Sequence, residues 1–271
     1  MYRTLLLLSF CFAKLLAEAA TVDTIETMSK AMNKPIKAVI VTPQTYNETK
    51  EMPVVYLLHG YSGNYADWIK NVPSIQQLAD NYQYIIVCPD GGFSSWYLDS
   101  PVDSRYKYET YMINELIPFI DQTYKTVKSR SGRAITGLSM GGHGALYLAF
   151  KHQDVFGAAG SMSGGVDIRP FPTNWDLPKR LGAMSEHKDR WEQHTVTNLL
   201  HLLVPDQLAI IIDCGTADFF YTVNEQLHAK MMDRNIAHDY ITRPGAHNWT
   251  YWSNSIAYQL LFMHRFFSEK E

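Results

Sequence analysis

Arg133-Ala134-Ile135-Thr136-Gly137-Leu138-Ser139-Met140-Gly141-Gly142 is the stretch on which the fold reading turns. Arg133 to Thr136 is β-prone, and Gly142 to Phe150 is a plausible helix. Between them, Gly137 to Gly141 reads G-x-S-x-G. In a strand–turn–helix setting this spacing holds a serine at a sharp, strained corner with its Oγ above the sheet. Side chains two residues before and after would collide there, hence Gly137 and Gly141. A helix beginning just after Ser139 also aims backbone N–H groups at developing negative charge. The alternative reading of the motif alone is a glycine-rich structural turn.

Outward from this turn the chain alternates strand and helix. Lys37 to Val41, Val54 to Leu58, Tyr84 to Val87, Ala134 to Thr136, Ala158 to Met162, Leu208 to Ile212 and His238 to Thr242 are short apolar or β-branched runs. They are near-continuously apolar, as strands buried on both faces should be. Tyr108, Met112, Leu116 and Ile120 recur every fourth residue, and Pro118 predicts a kink or early end. Val223 to Asn235 is a second helix, carrying Leu227, Met231 and Met232. The alternation predicts an α/β fold with a mostly parallel sheet. Val22 to Val41, with Asn33-Lys34-Pro35 inside it, reads as an antiparallel hairpin at one edge. Residues 164–201 hold Pro170, Pro172 and Pro178 and then charged residues, so they read as an insertion or lid.

Composition narrows the class. Of 271 residues, 46% are hydrophobic and 19% charged, which excludes a disordered or collagen-like chain. Net charge is −3, without the basic excess of a nucleic-acid binder. At the N-terminus, Arg3 precedes the apolar run Leu5 to Ala13, and Ala17-Glu18-Ala19 is a small-x-small site. These predict a signal peptide over residues 1–19, cleaved after Ala19, and a secreted or periplasmic protein spanning 20–271 as one domain. A buried N-terminal helix and lipidation at Cys11 are the alternatives. No later run is long enough to insert stably in a membrane. Cys88 and Cys214 each follow an isoleucine-rich run and read as buried residues at strand ends. Neither H-E-x-x-H nor clustered His/Cys spacing occurs, so no metal site is expected.

A serine hydroxyl needs an adjacent base. In this architecture the chain order is serine, acid, histidine. His247 follows the loop Thr242-Arg243-Pro244-Gly245-Ala246, just past the last strand candidate, where such a base must lie. His228 and His264 fall in helical stretches, His238 at the wrong end of a strand, and His187, His194 and His201 in the irregular segment. Asp218, in the loop Cys214-Gly215-Thr216-Ala217-Asp218, is the candidate acid that would hold the imidazole tautomer. Asp213 is its rival, and Asp218 as a helix N-cap is the structural alternative. For an oxyanion hole, backbone N–H groups of Tyr61, after the strand Val54 to Leu58, and of Met140 are expected to pair.

His59-Gly60, Pro89-Asp90-Gly91, Gly137-Leu138-Ser139-Met140-Gly141-Gly142, Cys214-Gly215-Thr216-Ala217-Asp218 and Gly245-Ala246-His247-Asn248-Trp249 occur in this order. Together they resemble the putative esterase family of α/β-hydrolases. That group includes esterase D, the antigen 85 mycolyltransferases, tributyrin esterases and the feruloyl and acetylxylan esterases of carbohydrate esterase family 1. The resemblance runs from about Lys34 to the C-terminus. It implies an eight-stranded sheet in the order 1-2-4-3-5-6-7-8, which separates the Cys88 and Cys214 strands and argues for two free thiols. It also implies Ser139, Asp218 and His247 as the triad of a serine esterase that needs no cofactor. Asp90 to Tyr97 and Tyr108-Glu109-Thr110-Tyr111 look most like tributyrin and feruloyl esterases. The expected substrates are feruloyl or acetyl esters on plant polysaccharide. A general short-chain carboxylesterase and an acyltransferase are the alternatives, and a non-catalytic binding protein on the same fold is a third. Trp96 and Trp175 are expected to be partly exposed and to touch substrate, with Asp167 hydrogen-bonding a phenol or sugar hydroxyl.

Overall fold

A computed structural model describes residues 19–269, so the expected signal peptide lies, but for its last residue, outside the described residues. The strands are β1 (Thr21–Ser29), β2 (Lys34–Thr42), β3 (Val54–Leu58), β4 (Ile85–Pro89), β5 (Arg133–Gly137), β6 (Ala158–Met162), β7 (Ala209–Gly215) and β8 (Asp239–Arg243). They form one sheet in the order β1-β2-β4-β3-β5-β6-β7-β8. The β1–β2 hairpin is antiparallel, pairing Ser29 with Lys34, and β2 joins β4 antiparallel. From β4 to β8 every pairing is parallel. This is the α/β-hydrolase strand order that the resemblance implied.

The helices are α1 (Asp67–Asn71), α2 (Ile75–Tyr82), α3 (Tyr108–Thr110), α4 (Ile117–Thr123), α5 (Met140–Lys151), α6 (Leu177–Leu181), α7 (Lys188–Gln193), α8 (Tyr221–Asp233) and α9 (Trp249–Ser268). Strand alternation divides the apolar residues between the two faces. Val54, Tyr56 and Leu58 of β3 pack into the layer with α5 and Trp191, while Val55 and Leu57 pack into the layer with α2 and α9. Both layers exclude water from β3 to β7, which is why those strands are buried along their length. The edge strands β1 and β8 are largely exposed and carry polar residues, so the run His238 to Thr242, expected to be buried on both faces, is not.

Pro118 acts less severely than expected. Tyr108, Met112, Leu116 and Ile120 are all buried along one continuous face. A π-helical turn over Tyr111–Leu116 precedes Pro118 and joins α3 to α4. The wider turn absorbs the missing N–H and the ring's clash with the preceding carbonyl without ending the helix. In α8, Leu227 and Met231 are buried, but Met232 is exposed and lies outside the apolar stripe. Cys88 and Cys214 are buried free thiols on strands separated by β3, β5 and β6. Burial pushes both thiols up, away from reactivity.

One buried group gives the fold a pH dependence. His143 of α5 is fully buried, stacked on Tyr147 and edge-on to Trp96. Its Nε2 lies 2.8 Å from the His194 carbonyl and its Nδ1 lies 3.2 Å from that of Trp96. Burial lowers its pKa from 6.5 to about 4, against the pull of both carbonyls. The unfolded chain therefore binds a proton that the folded chain refuses between those values. Stability should fall as pH drops from about 6.5 towards 4, by up to about 3 kcal/mol from this residue. Urea unfolding of wild type and His143→Gln at pH 7 and pH 5 checks this. The variant should show the shallower pH slope.

Candidate active site

The β5–α5 corner is as tight as its glycines imply. Ser139 has φ 55° and ψ −116°, a left-handed conformation that non-glycine residues rarely adopt. A Cβ on Gly137 would sit 2.7 Å from the backbone of Gly141, and one on Gly141 would sit 2.6 Å from the carbonyl oxygens of Leu58 and His59. The Ser139 amide donates to the Met162 carbonyl at 2.9 Å, tying the corner to the end of β6.

Ser139, Asp218 and His247 come from three separate loops and meet. His247 Nε2 lies 2.9 Å from Ser139 Oγ. Its Nδ1 lies 2.8 Å from Asp218 Oδ2 and 3.0 Å from Oδ1. Asp218 Oδ1 also accepts from the Phe220 amide at 2.8 Å, and its carboxylate is fully buried. The two loops are stitched together, since the Ala217 amide donates to the Gly245 carbonyl at 2.8 Å and that of Thr216 to Arg243 at 2.9 Å. Asn248 caps α9 by accepting from the Tyr251 amide at 3.1 Å, which fixes the chain just after His247.

Asp213, the rival acid, lies inside β7 and is committed elsewhere. It accepts from Arg243 and the Tyr251 hydroxyl on the α9 side. Burial pushes its carboxyl up, opposed by Tyr251 and Arg243. None of the other downstream histidines reaches Ser139. His228 and His238 bond each other at 2.8 Å, and His194 and His201 bond local carbonyls. His59 is structural, with Nδ1 at the Gly60 carbonyl and Nε2 accepting from the Gly91 amide.

Ser139 and His247 open into a cleft of about 280 Å³. Tyr61, Ser62, Gly63 and Asp67 form one side, and Trp175, Phe219, Trp249 and Trp252 supply aromatic walls. Met140 is the first residue of α5, directly after Ser139, and Tyr61 lies in the loop after β3 and lines the same cleft as Ser139.

Two expectations about substrate contacts are corrected. Trp96 is 1% exposed and lies behind the cleft wall, with its ring against His143 and its Nε1 donating to the Trp175 carbonyl. Asp167 is 6% exposed, and both its oxygens are taken by Arg169, which also binds Glu192. Its acceptor capacity is satisfied within residues 164–201. Trp175 does line the cleft. Phe219 and Asp67 were missed. Phe219 is adjacent to Asp218 in sequence, and that adjacency was the available signal.

The family model described as "Putative esterase" matches residues 29–263. An esterase of Mycobacterium tuberculosis is 36% identical over 134 residues, covering 48% of this chain and 29% of its own length. The chain therefore spans less than a third of that relative. An acetyl esterase of Caldicellulosiruptor saccharolyticus is 26% identical over 264 residues, covering 91% of this chain and 93% of its own. A solved ferulic acid esterase is 27% identical with a TM-score of 0.78, covering 92% of this chain and 98% of its own. With the fold, the strained serine corner and a match across most of its length, the chain belongs to the putative esterase family.

Proposed function

We propose that the protein is an exported serine esterase that hydrolyses feruloyl or acetyl esters on plant polysaccharide. The observation that carries the reading is the unbroken hydrogen-bond series from Ser139 through His247 to Asp218 beside an open aromatic cleft. Ser139 Oγ attacks the ester carbonyl carbon while His247 Nε2 takes its proton. Asp218 holds the Nδ1–H tautomer and stabilises the imidazolium. The Met140 and Tyr61 amides hold the oxyanion. His247 then returns the proton to the departing alcohol oxygen, leaving an acyl-Ser139 ester. Water, deprotonated by the same His247, attacks that ester, and His247 returns the proton to Ser139 Oγ as the acyl–oxygen bond breaks and the acid leaves.

The aromatic walls suit an aryl or short acyl group, and the names of the acetyl and ferulic acid esterase relatives support the same substrate class. Among the described residues, the cleft lining contains Asp67 and neither lysine nor arginine. An anionic ester should therefore be disfavoured by on the order of 1 kcal/mol, about five-fold in kcat/KM. Comparing 4-nitrophenyl butyrate with 4-nitrophenyl hemisuccinate checks this, and equal values would remove the electrostatic argument.

The substrate test is kcat/KM for methyl ferulate, 4-nitrophenyl acetate and acetylated xylan. Strong ferulate turnover assigns hydroxycinnamoyl esters. Turnover of acetyl esters alone moves the substrate to acetylated sugars or small esters. Product analysis with an added sugar acceptor separates hydrolysis from acyl transfer.

A further inference from the structure

Phe219 is 52% exposed, so core packing does not account for its place. Its ring lies over His247 with centroids 4.1 Å apart and planes tilted by 37°. Two further rings meet the imidazole edge-on, Trp252 at 4.9 Å and 87° and Phe220 at 5.5 Å and 78°. Phe219 also stacks on Trp175 at 5.7 Å and 20°. Trp175 is itself held firmly. It and Asp176 are consecutive left-handed residues, its carbonyl accepts from Trp96 Nε1, and Phe171 packs at 5.2 Å. The segment between β6 and β7 is thus connected to the imidazole through two rings, Trp175 and Phe219.

We infer that Phe219 is a positioning residue for His247, fixing the imidazole plane towards Ser139 and favouring the imidazolium that forms as Ser139 loses its proton. This rests on the triad reading above. An aromatic face holds a neutral ring by packing and attracts a cation within about 6 Å more strongly. The interaction therefore grows as the reaction proceeds, and such interactions raise kcat rather than lower KM. Asp218 is the charged group hydrogen-bonded to His247, and Asp67 is the other carboxylate on the cleft. Among the described residues of the lining there is no lysine or arginine, and the rings join the two carboxylates in favouring the imidazolium.

The test compares Phe219→Leu and Phe219→Tyr with wild type, using Ser139→Ala as the control for the triad reading. Leucine keeps an apolar side chain and removes the π face, and tyrosine restores it. With 4-nitrophenyl acetate, Phe219→Leu should lower kcat roughly ten-fold and leave KM within about two-fold. Phe219→Tyr should stay within about three-fold of wild type in kcat. Melting temperatures should be unchanged, since the side chain is half exposed. A Phe219→Leu enzyme with wild-type kcat, a loss confined to KM, a matching loss in Phe219→Tyr, or a lowered melting temperature would each overturn the inference. Inactive Ser139→Ala alongside fully active Phe219→Leu rejects this role alone. Active Ser139→Ala rejects the triad reading itself.

Discussion

Ser139→Ala should lower kcat/KM for ester hydrolysis by on the order of 10⁴-fold or more, with little change in stability. Alanine keeps the backbone corner at the same strained φ, and among the described residues the hydroxyl's side-chain partner is His247. The loss corresponds to about 5 kcal/mol of transition-state stabilisation or more. His247→Ala should cost a similar factor, and the double variant should be no worse than either single one, because the two side chains perform one step together. Steady-state kinetics with parallel thermal melts checks both points. Additive losses would mean that Ser139 and His247 act independently.

Asp218→Asn should reduce kcat by about 10⁴-fold while Asp213→Asn leaves it within about ten-fold. The two carboxylates are five residues apart and both follow the same isoleucine run, so the contrast isolates geometry from proximity in sequence. An asparagine at 218 can turn an N–H towards His247 Nδ1, which favours the tautomer whose Nε2–H faces Ser139 and cannot accept its proton. At 213 the loss is structural. Asparagine can still accept from the Tyr251 hydroxyl but leaves the Arg243 guanidinium without its anionic partner. That should destabilise the fold by about 2 kcal/mol, seen as a lower urea midpoint. A larger loss of activity from Asp213→Asn than from Asp218→Asn would reverse the assignment.

The central strands were legible because burial on both faces demands continuous apolar runs, and β3 and β6 begin and end where those runs do, whereas the edge strands β1 and β8 are largely exposed. The serine corner was legible because close backbone approach leaves no alternative to glycine at 137 and 141. Asp218 and His247 were legible as loop residues past β7 and β8. The aromatic residues were harder. Trp96 is buried by His143 and by the Trp175 carbonyl, partners 47 and 79 residues away, and nothing local to Trp96 announces either. Phe219 and Phe220 are chemically identical neighbours, yet one is half exposed over His247 and the other is buried. Their difference arises from how the Asp218 turn enters α8. Asp167 could have been read better, since Arg169 two residues on is a natural partner in a loop. The π-helical turn before Pro118 has no counterpart in a periodicity reading that assumes one helix geometry.

The most direct measurement is covalent. Diethyl 4-nitrophenyl phosphate, incubated with the purified protein, should transfer one diethylphosphoryl group to Ser139 Oγ and release 4-nitrophenolate. Intact-mass analysis should show a single adduct, and peptide mapping should place it on Ser139. His247→Ala should label far more slowly, and Ser139→Ala should not label. An adduct on another residue, or equal labelling of Ser139→Ala, would contradict Ser139 as the nucleophile.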